Sequence, residues 1–339
     1  MINTPTAFRK TPRILHLDQV WNLLAQGWQA ADLHVHTLHS YDVIPTRQVD
    51  PLFLYLEARR RGMTYVAFTD HDTMAAYDQI GWTREGLVPA VEVKILDPRN
   101  VGHTIHVNVY TLSRQQFRII QEIAGRARDV VALTAYLKAE GLPFIFNHPF
   151  WHEPDEKPNL QAVIDVARLF PVLEYNMGRI GRINAQALRL AEALSKGVAA
   201  ATDSHVGEIG QAFTLARGGS FTEFFGRIAA RESHLCPADL TLLRLKEETA
   251  LRVRHLFDKS AWLHAKDSLT MDTGSALLDG IVRRVACDGS RSRGLPHWLL
   301  RKAIEALSVS GIPGAFYLRY QNGLADRVGR LLESAGTAA

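Results

Sequence analysis

The sequence predicts an α/β protein, an irregular seven-stranded (β/α) barrel followed by a helical C-terminal extension. Between about residues 31 and 206, short apolar runs alternate with longer amphipathic stretches. Most runs are continuously apolar, as expected for parallel strands that are covered on both faces. Strand candidates that alternate with helices in this way favour a TIM-like barrel over an open sheet. The seven candidates are Asp32–His36, Tyr65–Thr69, Leu87–Lys94, Thr104–Tyr110, Phe144–Asn147, Val172–Tyr175 and Val198–Thr202.

Two of the connecting helices have recognisable ends. Asp50 is a predicted N-cap, because a proline follows it at the first helical position. Ala185–Ser195 repeats Ala and Leu at helical spacing, and Gly197 is the predicted C-cap. The third and fourth strand candidates are joined by a turn at Asp97-Pro98 without a helix. The predicted barrel is therefore irregular.

The chain divides into three predicted parts: a helical lead-in at residues 1–30, a barrel domain at 31–235 and a helical extension at 236–339. The lead-in contains one amphipathic segment, Leu17–Trp28. After residue 221 the alternation of strands and helices stops. We expect helices at Leu240–Phe257 and His297–Leu307, separated by a Gly/Ser/Arg-rich stretch at 288–294.

Composition and cysteine usage predict a soluble cytoplasmic protein. Hydrophobic residues make up 47% and charged residues 22% of the 339 residues, which is usual for a folded domain. No apolar run reaches the roughly 18 residues of a membrane span, and Met1–Arg13 lacks the apolar core of a secretory signal. Cys236 and Cys287 lie far apart and outside any CxxC pair, which favours reduced thiols.

The net charge is +4, and basic residues are denser late in the chain. These residues are Arg283, Arg284, Arg291, Arg293, Arg301 and Lys302. A solvated surface is the favoured interpretation of such a run. A patch that attracts nucleic acid is only weakly indicated.

Residues of the types that bind metals stand at the ends of almost every strand candidate. His34 and His36 are two apart on the first strand, so both imidazoles face the same side. In a βα barrel the carboxyl ends of the strands converge at the face where active sites are built. The remaining candidates are Asp70-His71-Asp72 after the second strand, Glu92 on the third, His106 on the fourth, His148 after the fifth and Asp203-Ser204-His205 after the seventh.

One histidine at a strand end is weak evidence for a metal, because histidine serves many structural roles. An HxH pair is stronger evidence, since its geometry is that of paired ligands. Six successive strand ends with His, Asp or Glu are hard to attribute to chance. Such groups are costly to bury unless metals or partners compensate them.

Together these motifs resemble the polymerase and histidinol phosphatase (PHP) superfamily of metal-dependent phosphoesterases. The resemblance covers about residues 30 to 230, and the family fold is an irregular seven-stranded barrel. It is carried by Asp32-Leu-His-Val-His-Thr37, Ser40-Tyr-Asp42, Thr69-Asp-His-Asp72, Glu92, His106, Asn147-His-Pro149 and Thr202-Asp-Ser-His205. The last hundred or so residues match no family that we can name.

The resemblance implies two or three divalent metal ions bound by three ligand sets. His34, His36, Glu92 and Asp203 would bind the first ion. Glu92 would bridge to a second ion that His106 and His148 complete. Asp42, His71 and His205 would hold the third. Family members carry either Asp or His at the position of Asp42, and His103 is an alternative to His106.

The mixed nitrogen and oxygen ligands suit manganese, zinc or iron. The implied activity is hydrolysis of a small phosphate ester, a nucleotide or a histidinol-phosphate-like monoester, by a metal-bound hydroxide. His71, Asp203 and His205 are the expected catalytic residues, and His71 or His205 would protonate the leaving oxygen if only two ions bind. Asp70 and Asp72 are candidates for orienting the imidazoles.

Arg179 and Arg182 follow the sixth strand in a Gly-containing loop, where they would bind the substrate phosphate. Solvated arginines at a helix start are an equally good interpretation. Phe150 and Trp151, beside His148, could stack on a substrate ring, but packing is the favoured interpretation because large aromatic side chains usually serve burial. His39 and His152 are expected to be bystanders or substrate contacts.

Two other functions are less well supported by the sequence than the phosphoesterase. An amidohydrolase that cleaves C–N bonds also opens with HxH on a barrel strand, but no strand-centred lysine is suited to bridging metals. A non-catalytic scaffold module is disfavoured because every expected ligand position is filled. The chain also lacks a GxxxxGK[ST] loop and a GxSxG elbow.

Overall fold

The computed structural model describes residues 13–15, 17–153, 155–264 and 295–336. Its sheet has ten strands in the described residues. They are β1 Arg13–Ile14, β2 Gln29–Val35, β3 Tyr65–Phe68, β4 Leu87–Asp97, β5 His103–Tyr110, β6 Phe144–Phe146, β7 Val172–Asn176, β8 Gly197–Ala201, β9 Phe213–Ala216 and β10 His234–Cys236.

The helices surround this sheet and continue beyond it. They are α1 Leu17–Ala25, α2 Pro51–Arg60, α3 Ala75–Ile80, α4 Arg114–Glu122, α5 Val130–Ala139, α6 Leu160–Ala167, α7 Gly181–Ala193, α8 Phe221–Ala229, α9 Leu242–Phe257, α10 Leu295–Ser310 and α11 Ile312–Gly336. No helix in the described residues is long and apolar enough to cross a membrane.

The strands follow the order β1-β10-β9-β2-β3-β4-β5-β6-β7-β8. The sheet curves until β8 returns to β2, where the Asp203 amide donates to the His34 carbonyl at 2.8 Å. The His36 amide donates to the Ser204 carbonyl at 3.0 Å. Nine strands, β2 to β10, thus form a nearly closed barrel.

All seven predicted strands are present, but seven is not the strand count of the sheet. The additional strands β1, β9 and β10 have two to four residues each. Runs this short carry too little apolar pattern to be recognised without their partners. Because β9 pairs antiparallel with both β2 and β10, it brings the segment after the seventh predicted strand back into the sheet. The stretch from residue 221 to 236, predicted to lack this alternation, contains α8 and β10.

The irregularity predicted between the third and fourth candidates is confirmed. β4 and β5 pair antiparallel from Ala90–Tyr110 to Asp97–His103. The turn is closed by the Asp97 carboxylate, which accepts from the Arg99 and Asn100 amides at 2.9 and 2.7 Å. No helix stands between these two strands.

The two predicted helix ends have different outcomes. The N-cap is confirmed, because the Asp50 carboxylate accepts from the Leu52 and Phe53 amides at 3.0 and 3.1 Å. The C-cap at Gly197 is wrong. Ser195 takes the left-handed conformation after α7, with φ of 54°, while Gly197 starts β8. Glycine is required there by packing, since a Cβ would lie 2.2 Å from the Ile228 carbonyl oxygen.

The residues that face into the barrel form two layers. Val88, Ala90 and Glu92 occupy alternate positions of β4 and so share one face. Val88, Ala90 and Tyr110 belong to an apolar cluster that the phenylalanines of α8 close from below. Glu92 and His106 lie beyond this cluster, toward the carboxyl end of β4. The apolar layer therefore supports a polar layer at one mouth of the barrel.

The predicted C-terminal helices are present as α9 and α10, and α11 continues them. α10 and α11 pack on α9, and α11 also packs on α7 of the barrel. The stretch at 288–294, its two arginines, Arg283, Arg284 and Cys287 lie outside the described residues. Arg301 and Lys302 both pair with Glu305 on α10. Cys236 is a buried free thiol.

Candidate metal centre

Nine side chains with metal-binding atoms converge at the polar mouth of the barrel. We call them the donor cluster. It consists of His34, His36, Asp42, His71, Glu92, His106, His148, Asp203 and His205. They fall into overlapping groups in which the ligand atoms all lie within 4.8 Å of one another. All nine are the residues that the sequence resemblance singled out.

The ligand atoms of the first implied set lie close together. His34 Nε2 and His36 Nε2 lie 3.1 Å apart. Each lies 3.2 Å from Glu92 Oε2 and 3.2 Å from Asp203 Oδ1. Ligands of one zinc ion at its usual distances stand about 3.3 Å from one another. His34, His36 and Glu92 meet this spacing, and Asp203 approaches the same two histidine nitrogens.

Hydrogen bonds on the far side of each ring orient the two imidazoles. His34 Nδ1 donates to Glu174 Oε1 at 2.7 Å. Ser40 Oγ donates to Asp42 Oδ1 at 2.8 Å, so its lone pair accepts from His36 Nδ1 at 3.1 Å. With the Nδ1 atoms held in this way, both Nε2 atoms are directed into the same space. A cation there would bind both rings once they are neutral.

Glu92 lies at the centre of the cluster, and histidines approach both of its oxygens. His106 Nδ1 and His148 Nε2 lie 3.1 and 3.3 Å from Oε1. On the other side, His71 Nδ1 lies 3.2 Å from Oε2. Asn147 Nδ2 donates to Oε1 at 2.7 Å and holds the carboxylate in place. This position suits a carboxylate that bridges two ions.

A further group surrounds Asp42 on the loop after β2. Asp42 Oδ2 lies 2.8 Å from His205 Nε2 and 3.5 Å from His71 Nε2. The rings of His36 and His205 stack with centroids 4.1 Å apart. Asp42 therefore stands among the ligands implied for a third ion.

The three implied ligand sets are not separate in space. His71 contacts Glu92 through Nδ1 and Asp42 through Nε2, so it connects the second set to the third. His148 also groups with His34 and Asp203. The nine side chains form one continuous centre, with Glu92 shared by several groups.

The buried charges of the cluster favour cation binding. Burial alone would raise the pKa of Glu92, but the surrounding His34, His71 and His106 hold it well below its usual range. Burial would likewise lower the pKa of His36, but hydrogen bonds to Asp203 and Glu92 raise it to about 10. Without cations, protons on such rings balance the carboxylates. Metal binding replaces these protons.

Some imidazole nitrogens make no well-directed hydrogen bond, although His71 Nδ1 and His106 Nδ1 lie close to Glu92. His71 Nδ1 and both nitrogens of His106 are buried without a hydrogen-bond partner among the described residues. Burial also lowers the pKa of His106 to about 3, so this ring is neutral. Buried polar atoms are rarely left unsatisfied in native proteins. A ligand on these nitrogens, such as a metal ion, accounts for them.

The residues that orient the donors are mostly ones that the sequence did not indicate. Glu174, on β7, accepts from both His34 Nδ1 and the His148 amide, the latter at 2.8 Å. Asn176 donates to Glu174 Oε2 at 2.9 Å and to Asp203 Oδ2 at 3.0 Å. The sixth strand candidate, Val172–Tyr175, carries this carboxylate within an otherwise apolar run. That pattern is the sequence signal that could have identified Glu174.

The predicted orienting residues Asp70 and Asp72 have other partners. Asp70 accepts from the Thr37 amide and hydroxyl, both at 2.6 Å. Asp72 accepts from Gln121 Nε2 at 3.0 Å and from the Lys94 amide at 3.3 Å. Asp70 thus supports the loop that follows His36, and its effect on the imidazoles is indirect.

The two candidate phosphate-binding arginines lie in different surroundings. Arg179 Nη1 donates to the Tyr317 hydroxyl at 2.8 Å, and its guanidinium lies 5.9 Å from the Trp151 ring centre. Arg182 donates at 2.5 Å to Oδ1 of Asp326, a residue of α11. The Arg182 side chain is 57% exposed. Arg179 is therefore the one of the two that lines the cavity above the donor cluster.

The other aromatic residues and histidines that the sequence singled out have contacts of their own. Phe150 is fully buried in the core, whereas Trp151 stands 4.6 Å from the His106 ring. His39 bonds Gln79 at 2.7 Å, away from the donor cluster. His103 accepts from the Asn159 amide at 3.4 Å. His152 hydrogen-bonds the Tyr320 hydroxyl on α11.

No protein-family model and no curated protein matches this sequence. Solved structures do align with it. PsfC from Pseudomonas syringae PB-5123 has 16% identity and a TM-score of 0.48, covering 68% of this chain and 98% of its own. A proposed metal-dependent phosphoesterase from Bifidobacterium adolescentis has 17% identity and a TM-score of 0.37, covering 63% and 97%.

The lesion-specific endonuclease Q from Pyrococcus furiosus has 15% identity and a TM-score of 0.45, covering 81% of this chain and 82% of its own.

Proposed function

We propose that this protein is a metal-dependent phosphoesterase that hydrolyses a small phosphate ester. The observation that supports it is the convergence of nine side chains with nitrogen and oxygen ligands, seven of them on buried residues, with the shared carboxylate of Glu92 at the centre. Closely spaced cations bridged by a carboxylate suit phosphoryl transfer, which develops charge on both the attacking and the leaving oxygen. A nucleotide or a histidinol-phosphate-like monoester falls within this class.

Manganese, zinc or iron fits the donors, because imidazole and carboxylate are ligands that these metals share. His34, His36, Glu92 and Asp203 would hold one ion, His106 and His148 would join Glu92 around another, and Asp42, His71 and His205 would hold a third. When bound, such ions lower the pKa of water toward about 7 and neutralise phosphate oxygens.

The protein's own residues would position the ester and manage its protons. Asp203, at the carboxyl end of β8, contacts the HxH pair from the side of the cavity. His205 Nε2 shares a proton with Asp42 Oδ2 and also borders the cavity, so it is placed to protonate a leaving oxygen if the third set is empty. His71 has the same partner. Arg179 would bind a phosphate oxygen from above.

The amidohydrolase alternative is less well supported. Glu92 occupies the central position of the cluster, and Lys94, two residues later on β4, forms an ion pair with Glu153 instead. A non-catalytic scaffold is disfavoured by the complete donor set. Buried carboxylates and imidazoles are costly, and a scaffold gains nothing from them.

The test is phosphate release by purified protein reconstituted with manganese or zinc, measured across nucleotides and small phosphate monoesters. We expect release that EDTA abolishes and that Asp203→Ala reduces at least about 100-fold. Asp165→Ala is the matched control, because Asp165 is exposed on α6. Bound metal should be counted in each sample by elemental analysis.

Metal-loaded protein that releases no phosphate from any ester would refute the proposal. Equal activity of Asp203→Ala and Asp165→Ala would show instead that hydrolysis occurs elsewhere or comes from a contaminant.

A further inference from the structure

The donor cluster opens into a cavity of about 930 Å³ that the C-terminal helices cover. We call α9, α10 and α11 the roof. Asp42, Asp203 and His205 lie in the lining together with side chains from all three roof helices. Typical ligand pockets range from about 300 to 1,000 Å³. A phosphate group alone fills only a small part of this space.

The roof is attached to the barrel by specific contacts around the cavity. Arg244 of α9 pairs with Glu208 at 3.0 Å. Arg252 of α9 donates to the Asp42 carbonyl at 3.4 Å. Tyr317 of α11 accepts from Arg179 at 2.8 Å. These bonds connect the roof to the loops that carry the donor cluster, so the cavity is a defined part of the fold.

The surface that the roof presents to the cavity is mainly apolar. Its aliphatic side chains are Leu245, Val253, Ile304, Leu307, Ile312 and Leu324. Aromatic rings of Trp151 and Phe316 border the same space. Leu307 and Ile312 remain 42% and 54% exposed. An apolar ligand that covers such side chains removes apolar surface from water, which stabilises the complex.

The charges of the lining are balanced, so the cavity does not attract a polyanion. The described lining has five basic side chains, Lys157, Arg179, Arg244, Arg252 and Arg327, and five carboxylates, Asp42, Glu156, Asp203, Glu208 and Glu248. Nucleic-acid sites instead concentrate basic residues that neutralise several phosphates. Cations in the donor cluster would provide the one strongly anion-binding point.

We propose that the substrate is a phosphate monoester with an extended apolar organic group, and that the roof binds this group while the phosphate lies at the donor cluster. This inference rests on the proposed function and narrows it, since it disfavours nucleotides and histidinol-phosphate-like esters. Leu307 and Ile312, two of the exposed apolar side chains in the lining, are the specificity-determining residues chosen for substitution.

The experiment is calorimetric titration of manganese-loaded protein with methyl-, butyl- and octylphosphonate, which resist hydrolysis. Affinity should rise with chain length, by up to about fourfold per methylene that enters the cavity. Leu307→Trp should weaken octylphosphonate binding about tenfold or more and leave methylphosphonate unchanged. Leu299→Trp is the matched control, because Leu299 is 52% exposed on the same helix and outside the lining.

Equal affinity for all three phosphonates, or binding of none, would overturn the inference. Tighter binding of adenosine monophosphate or of a short single-stranded oligonucleotide than of octylphosphonate would also overturn it. If Leu307→Trp does not fold, Ile312→Asn replaces it, with Val309→Asn as control, since Val309 is exposed on α10 and outside the lining.

Turnover of the matching alkyl phosphates separates this inference from the proposed function. Chain-length-dependent binding without phosphate release would refute the phosphoesterase but keep the apolar site. Phosphate release with no dependence on chain length, in both binding and kcat/KM, would keep the phosphoesterase and discard the apolar site.

Discussion

At the scale of single residues, the donor cluster depends on a few side chains that bind no metal themselves. Glu174 is completely enclosed and fixes His34 and the His148 backbone at once. His148 itself has a φ of 25° and Asp203 a φ of 52°, conformations that ordinary side chains rarely adopt. Such strained backbone persists only where surrounding contacts hold it, and it is concentrated at functional sites.

Glu174→Gln should lower metal affinity by about 10- to 100-fold, because a neutral amide is a weaker acceptor for His34 Nδ1 and no longer strengthens that ring as a ligand. The measurement is competition for zinc or manganese against a chelator of known affinity. Glu192→Gln, an exposed change on α7, is the control. The same affinity in both variants would mean that Glu174 has no orienting role.

The HxH pair and the metal-binding residue types at the other strand ends made the cluster predictable from the sequence. Glu174 was not predictable in the same way. Its position within an apolar strand candidate does not indicate which side chain its carboxylate contacts. Only the register of β7 against β6 and β8 directs the side chain toward His34.

At the scale of elements, close packing decides where strands and helices end. Gly197 followed a helical pattern and was interpreted as its C-cap, but the helix ends at Ala193 and the left-handed residue is Ser195. Sequence alone did not reveal that α8 passes directly over β8. That tertiary contact leaves no room for a side chain at residue 197.

Gly197→Ala should destabilise the protein by about 1 to 3 kcal/mol, because its methyl group would overlap the Ile228 carbonyl and force the helix off the strand. Gly226→Ala is the matched control on α8, where a Cβ meets nothing within 4 Å. Alanine there should be neutral or stabilising by up to about 1 kcal/mol. Urea denaturation measures both, and equal midpoints would contradict the packing argument.

At the scale of the whole molecule, we expect folding and metal binding to be coupled. The cluster gathers Asp42, Glu92 and Asp203 in a buried space with imidazoles from five different segments of the chain. Cations that bind only the folded state stabilise it in proportion to the logarithm of their concentration. The extent of the barrel was predictable because short apolar runs alternate with amphipathic stretches along it. The roof's position was not, since it is set by contacts such as Tyr320 with His152.

Manganese or zinc at about 1,000 times its Kd should stabilise the folded protein by about 4 kcal/mol, which raises the Tm by several degrees. EDTA should reverse the shift. Differential scanning calorimetry of wild type and Asp203→Asn provides the comparison, with a smaller shift expected for the variant. A Tm that is insensitive to metal in both proteins would contradict the coupling.

The order of the chain has a consequence for how the protein is assembled on the ribosome. The last barrel strand ends at Cys236 and α9 follows at Leu242, whereas α10 and α11 begin only at Leu295 and Ile312. The nascent barrel is therefore complete before α10 and α11 have been synthesised, and cations from open solution would reach the donor cluster at that stage. Biosynthesis would then separate cation binding from completion of the roof.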